Sequence, residues 1–245
     1  MVEAAIGADM VSAFEAKELA ETVEEKGWKT SSCCPAFVDY VEKNYPQFVD
    51  HISTAVSPMI ATARAIKAKD KKARVVFVGP CTAKKVEMKR EALKDAVDIV
   101  ITFEELQAIF DAREIDLVSL EPRMAGEASS FGRNFARTGG VTESVAHTLE
   151  LSGLDLDVKA VRCNGIDECI KAMKMASFGK LDANFIEGMA CKHGCTGGAA
   201  SLLHDAKGIE MINRYGKESK TDNPLDILEK FPIDNINMER FNHED

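Results

Sequence analysis

The chain has 245 residues, 45% of them apolar, enough for one large domain or two lobes with their own cores, and extensive disorder is excluded. A formal charge of -9 lacks the concentrated Lys and Arg that phosphate binding needs, which excludes a nucleic-acid partner; no apolar run approaches the roughly 20 residues that span a bilayer, which excludes a membrane span, and the first residues form no secretory leader. Seven cysteines, an odd number with Cys33 and Cys34 adjacent, fit a reduced compartment, the cytoplasm, and metal binding better than a disulfide framework.

In chain order, good helix formers run over 10–26 and stop at Gly27, a residue suited to the turn that ends a helix. Residues 40–48 and 58–69 also read as helices, the second starting at Ser57-Pro58. Short β-branched runs at 74–78, 98–102 and 159–162 alternate with helical stretches, which predicts βα units and a largely parallel sheet. Ligands collect beyond the carboxyl ends of such strands, and Gly79-Pro80-Cys81 follows one of them directly. Residues 121–140 are rich in Gly, Ser and Arg and read as a long loop; Gly139-Gly140 then precedes a helix starting near Thr142. A helix at 166–176 and a last strand at 182–186 lead into a further cysteine segment. After Gly198 come a helical stretch and a polar tail, with 205–245 expected to be peripheral. No internal repeat and no low-complexity block interrupts this order.

The chemistry is concentrated in three segments, S-S-C-C-P-A-F, V-G-P-C-T-A-K-K-V-E and G-M-A-C-K-H-G-C-T-G-G, which hold Cys34, Cys81, Cys191 and Cys195. Thiolates are the preferred protein ligands of iron–sulfur clusters, which usually take four. Separated as they are, these cysteines must converge between elements rather than within one loop. The spacing of Cys191 and Cys195 alone is weak evidence, and buried structural thiols or a zinc site compete with the cluster reading. Cys163 and Cys169 stand outside the segments and read as partly buried free thiols.

In order and separation the three segments resemble the signature motifs of the FeFe-hydrogenases, over nearly the whole chain. The resemblance implies the iron-only hydrogenase fold: an α/β protein of two lobes with mostly parallel sheets flanked by helices, the active site in the cleft between them. The lobes would be approximately 1–70 with part of 140–245, and 71–140, with the first lobe incomplete. It further implies an H-cluster, a 4Fe-4S cubane joined through a cysteine sulfur to a diiron unit carrying CO, cyanide and an amine dithiolate. Cys34, Cys81, Cys191 and Cys195 would hold the cubane, Cys195 also bridging to the diiron unit. Cys33 matches the first protein group to receive a proton from the bridging amine, and a free thiol can both donate and accept. Glu15 and Glu18 match two acids of the family's proton path, with Ser53 as the hydroxyl of that relay; their i, i+3 spacing puts both acids on one helical face. The arginine that ends this path in the family is Thr22 here. Lys84 matches a lysine that hydrogen-bonds a cyanide of the diiron unit, and Glu87 pairs with a neighbouring base. Met189, Pro58 and Phe135 match residues walling the diiron site.

The sequence departs from the family pattern in several places. Gly79 stands where a methionine is usual, an enlarged or wetter pocket; Phe37 replaces Trp, Met59 replaces Gln and Lys192-His193 replaces Pro-Gly, as in a divergent subgroup. Members of the family carry a further N-terminal part of this domain and ferredoxin-like cluster domains, so the chain reads as a fragment that is inactive in isolation and possesses the cluster only in the matured full-length protein. The activity implied is reversible oxidation of H2 to protons and electrons under anaerobic conditions, with ferredoxin or a similar electron carrier and dedicated maturation enzymes as partners. Two rivals stay open: an H2 sensor, towards which Gly79 leans, and an iron–sulfur assembly protein without the diiron unit, against which Cys33, Lys84 and Met189 speak.

Overall fold

A computed structural model describes residues 1–122 and 126–241. In chain order its elements are α1 (Ala5–Lys26), β1 (Lys29–Thr30), α2 (Pro35–Asn44), α3 (Pro58–Lys69), β2 (Val76–Gly79), α4 (Lys84–Glu87), β3 (Ile99–Thr102), α5 (Phe103–Ala112), α6 (Ser130–Asn134), α7 (Gly140–Leu151), β4 (Ala160–Asn164), α8 (Ile166–Ser177), β5 (Phe185–Met189) and α9 (Lys207–Lys217). This is the α/β class with mostly parallel sheets that the sequence predicts, here two separate sheets.

The larger sheet has the order β1-β5-β4 and is parallel throughout, with Thr30 opposite Ile186 and Asn164 opposite Met189. Its middle strand β5 is buried at all five positions, as expected of a parallel strand covered on both faces. The smaller sheet is the parallel pair β2-β3, running from Val76 opposite Ile99 to Gly79 opposite Thr102.

Helix α1 is the axis of the core. From Ile6 to Ser12 it is buried without a break, and beyond that only the stripe of Glu15, Ala16, Leu19 and Val23 is buried. It packs on α3, α7 and the 3-10 turn Pro224–Glu229. At Gly7 the backbones of α1 and α3 come so close that a Cβ would lie 2.2 Å from the Pro58 carbonyl oxygen. This burial draws the helix start back to Ala5 from the expected position 10, overriding the weak propensity of a stretch that contains glycine. The stop at Gly27 is as expected: it has φ 79° and its N–H donates to Val23 O at 2.7 Å.

Other boundaries shift for identifiable reasons. The helix expected at 40–48 is α2, which starts at Pro35 with Cys34 as the capping residue; Pro46 then opens a 3-10 turn, Pro46–His51. The stretch 121–140 is not all loop, because Ser129 Oγ accepts from Gly132 N–H at 2.9 Å and caps the short α6; residues 123–125 of that stretch lie outside the described residues. The last strand is Phe185–Met189, three residues later than read. The C-terminal segment is less peripheral than its polarity suggests. Ile227 and Met238 enter the main core, and residues 238–240 bond to 54–56 through Val56 N–H to Met238 O (2.8 Å) and Arg240 N–H to Thr54 O (2.9 Å).

Glu187, in the middle of β5, is fully buried and closes the amino end of α7. Its carboxylate accepts from Gly139 N–H (2.6 Å), Thr142 N–H (2.9 Å) and the Thr142 hydroxyl (2.7 Å), at the end of the helix where negative charge is favoured. Glu187→Ala strands these buried donors and should lower the free energy of unfolding by about 3 kcal/mol or more in urea titrations. An unchanged midpoint would show that α7 does not depend on this cap.

Candidate metal centre

Parallel strands all present their carboxyl ends on one side, and here those ends carry the sulfur. Cys33 and Cys34 follow β1, Cys81 follows β2, and Cys191 and Cys195 follow β5. Because β1 and β5 are neighbours, the loops beyond them meet: the Cys34 sulfur takes a hydrogen bond from the Ala190 backbone as well as one from Phe37 in the first turn of α2. The Cys81 loop joins from the other sheet, where Pro80 O accepts from Ala200 N–H at 3.0 Å and a Cβ on Gly198 would lie 2.4 Å from that same oxygen. The turn between Cys191 and Cys195 is tightened by left-handed His193 (φ 67°) and Gly194 (φ 71°). Cys195 N–H donates to Ala136 O at 2.7 Å, and Asn164, at the end of β4, accepts from His193 N–H at 2.5 Å.

The four thiols feel one another. Burial raises the pKa of Cys34, against the two backbone hydrogen bonds, and Cys81 adds to the rise. Burial, then Cys34 and Cys81, raise Cys191 and push Cys195 up to about 12. Among the described residues no three His, Cys, Asp or Glu side chains come close enough to share a single metal ion. Zn–S bonds are about 2.3 Å, and a multi-iron cluster spreads its thiolates around a larger body.

A cavity of about 290 Å³ opens beside the sulfurs and is lined by Cys33, Cys34, Cys81 and Cys195, by Lys84, and by the apolar side chains of Pro58, Met59, Phe77, Phe135 and Met189. Its buried ammonium is Lys84, which donates to Cys33 O (3.1 Å) and to Glu87 (2.7 Å). Burial works against that charge, but the Glu87 carboxylate outweighs it and the Lys84 pKa rises. The pair is buried, not on the surface. The wall at Gly79 is apolar rather than wet: the Phe77 ring lies over it, 2.7 Å from where a Cβ would stand. A thiol-rich, dry recess with a fixed ammonium suits a cluster carrying anionic ligands.

From this cavity a line of thiol, carboxyl and hydroxyl groups leads outwards. Cys33 is buried, and burial followed by the Glu15 carboxylate pushes its thiol well above the ordinary range. Glu15 is also buried; its Oε1 accepts from Ser32 N–H (3.2 Å) and the Ser32 hydroxyl (3.4 Å), while its Oε2 has no hydrogen-bond partner among the described residues. The Ser53 hydroxyl donates to Glu18 Oε2 at 2.6 Å and is near enough to Glu15 to act on its pKa. Sequence reasoning missed two members of this set. Ser32 had a signal in its place beside Cys33; Lys29, 2.8 Å from Glu18, had none, since a strand of two residues shows no periodicity. His193 lies on the turn and joins no ligand group among the described residues, and Cys163 and Cys169 are fully rather than partly buried.

Fold and site together define a parallel α/β protein that gathers cysteines from separate parts of the sequence around one cavity. Residues 1–199 match the family described as iron only hydrogenase large subunit, C-terminal domain, and the chain belongs to that family. It is 31% identical to Iron hydrogenase 1 of Clostridium pasteurianum over an alignment covering 84% of this chain and 44% of that protein. It is also 35% identical to the cytosolic Fe-S cluster assembly factor NAR1 of Kluyveromyces lactis, over 39% of this chain and 20% of that one. The chain thus spans under half of the clostridial relative. Among solved structures, an [FeFe]-hydrogenase studied for oxygen inactivation of the H cluster superposes with a TM-score of 0.73 at 21% identity, over 99% of this chain and 81% of that one. A variant of the [FeFe]-hydrogenase HydA1 from Chlamydomonas reinhardtii gives 0.71 at 21% identity, over 95% and 80%. No helix among the described residues is long and apolar enough to cross a membrane.

Burial, followed by the nearby Glu18 charge, raises Glu15 from 4.5 to about 7; burial, against hydrogen bonds from Ser129, raises Asp9 from 3.8 to about 7. In that interval the native state keeps protons that the unfolded chain has lost, so this stabilisation is complete below about pH 4 and is lost as pH rises through 7. In metal-free protein, Glu15→Gln should remove about 3 kcal/mol of the decline between pH 4.5 and pH 8, measured by urea unfolding at each pH. Parallel slopes in wild type and variant would mean that Glu15 is ionised throughout.

Proposed function

We propose that this chain is the cluster-bearing part of an FeFe-hydrogenase, with Cys34, Cys81, Cys191 and Cys195 as ligands of a 4Fe-4S cubane and Cys195 as the bridge to a diiron unit in the cavity. The observation that carries this reading is the pairing of two features at one place. Cys34, Cys81 and Cys195 line the cavity, with Cys191 near Cys34 and Cys81, and the Cys33, Glu15, Ser53 and Glu18 side chains lead away from the same cavity. When bound, the group supplies the iron and amine chemistry that splits or forms H2.

The chain's own residues do the rest. Lys84, fixed by Glu87 and the Cys33 carbonyl, offers its remaining donor to an anionic ligand in the cavity. Met59, Phe77, Phe135 and Met189 keep bulk water out. The Cys33 thiol exchanges a proton with the cavity and hands it to the buried Glu15 carboxylate; Ser53, lying between the two acids, passes it on to Glu18 at 2.6 Å. The electrons would be exchanged with a ferredoxin or similar carrier in an anaerobic cytoplasm, and loading of the diiron unit would need maturation enzymes.

A second reading, an iron–sulfur assembly protein holding only the cubane, is favoured by the NAR1 resemblance across 39% of the chain. The diiron-side groups separate the two: Cys33, Lys84 and Met189 all line the cavity. Infrared spectra of the full-length matured protein should show CO and cyanide stretches, and a cubane without those bands would favour the assembly reading. Cys33→Ser should keep the bands and the iron content while lowering hydrogen turnover about 100-fold or more. Undiminished turnover would remove Cys33 from the path. Cys81→Ala, lacking a cluster ligand, should take up little iron after reconstitution with iron and sulfide; iron binding equal to wild type would remove Cys81 from the ligand set.

A further inference from the structure

We propose that Lys29 is the positioning residue of the proton line: its buried ammonium holds Glu18 in place and ionised, as the acceptor at the outer end. The inference deepens the hydrogenase reading and rests on it for the purpose the line serves.

Lys29 Nζ lies 2.8 Å from Glu18 Oε1, with the two side chains only 5% and 11% exposed. The rest of the carboxylate is also occupied. Oε2 accepts the Ser53 hydroxyl at 2.6 Å, and Thr54 N–H lies 3.0 and 3.2 Å from the two oxygens. Thr22, at the position of the family's terminal arginine, does not serve this carboxylate, because its hydroxyl donates to the Glu18 backbone carbonyl at 2.7 Å. Among the described residues, charged neighbours of Glu18 include Glu15, one turn back on α1, and Arg240 of the C-terminal segment, which is committed to Glu42 at 3.0 Å. Lys29 is the cation in direct contact among the described residues.

Its position is set by the sheet, not by a flexible loop. Lys29 N–H donates to Asn184 O at 3.0 Å, and Lys29 is in register with Phe185 of the buried β5. A buried ion pair gains little stability over well-packed apolar side chains, so stability alone gives no reason for a lysine in a strand of two residues. Proton transfer does. Ser53 can give its proton to Glu18 only if Glu18 is ionised when the proton arrives; Ser53 regains a proton from the Glu15 side, Glu18 releases its own to water at its partly exposed edge, and Lys29 stays an ammonium throughout. Without that ammonium Glu18 loses the partner that fixes its carboxylate against Ser53, and the line stalls.

Two substitutions separate charge from packing. Lys29→Gln keeps a hydrogen-bond donor and removes the charge; Lys29→Arg keeps the charge. In metal-free protein, infrared titration of the carboxyl C=O stretch should reveal one additional protonated carboxyl at neutral pH in Lys29→Gln, absent from Lys29→Arg and from the double variant Lys29→Gln/Glu18→Gln. The double variant leaves no uncompensated charge and controls for folding. In the matured full-length enzyme, the pH profile of hydrogen oxidation should move upward by about one unit or more in Lys29→Gln and return in Lys29→Arg. A Lys29→Gln protein whose Glu18 stays ionised at neutral pH, or whose profile coincides with wild type, overturns the proposal. A matured wild type that turns over no hydrogen overturns the hydrogenase reading instead, and the metal-free titration still decides whether Lys29 governs Glu18.

Discussion

Strands β1, β5 and β2 deliver sulfur to one cleft, and the parallel sense of β1 and β5 is the constraint on which the site depends. If β1 ran against β5, Cys34 would leave the sheet at the opposite end from Cys191, and no loop of two or three residues could bring it back. The buried middle strand, the helix cap from Glu187 and the close approach at Gly7 all hold this arrangement in register. Locally, His193 and Gly194 turn the chain sharply enough for Cys195 to face back into the cleft.

The same dryness that suits an anionic cluster raises the cost of every polar group beside it, and each is handled differently. Lys84 is paired with Glu87, Glu18 with Lys29, and Glu187 is satisfied by a helix end. Among the described residues Glu15 is paired with no cation and keeps one oxygen without a hydrogen-bond partner. A carboxyl left in that state changes its protonation easily near neutral pH, a property useful in the middle of a relay and harmful at its ends. The pattern is a contrast between fixed charges at the borders of the site and a labile one between them.

How far the sequence was legible depends on how local each signal was. The cysteine segments, the stop at Gly27, the start at Ser57-Pro58 and the strand before Cys81 are written in neighbouring residues, and the family and the fold class could be read from them. The start of α1 was not, because Gly7, a poor helix former, is held in the helix by packing rather than by propensity. Nor was the entry into α2, since Cys34 is an unusual helix cap, nor the contribution of Ile227 and Met238 to a core far away in sequence. Of the site, the ligand candidates and the two acids were visible, while Lys29 was not: its partner lies 11 residues earlier across a helix stop, and nothing local announces the pairing. Of the enlarged or wetter pocket expected at Gly79, the wetter one is not seen, because the ring of Phe77, two residues back on the same strand, covers that wall.

One further consequence follows from where Cys81 sits. The other three candidate ligands ride on the three-stranded sheet, and Cys81 alone belongs to the two-stranded one. A cofactor gripping all four becomes a rivet between the halves of the molecule, so that loading it should stiffen the smaller half and slow amide exchange in β2 and β3 far more than in β5.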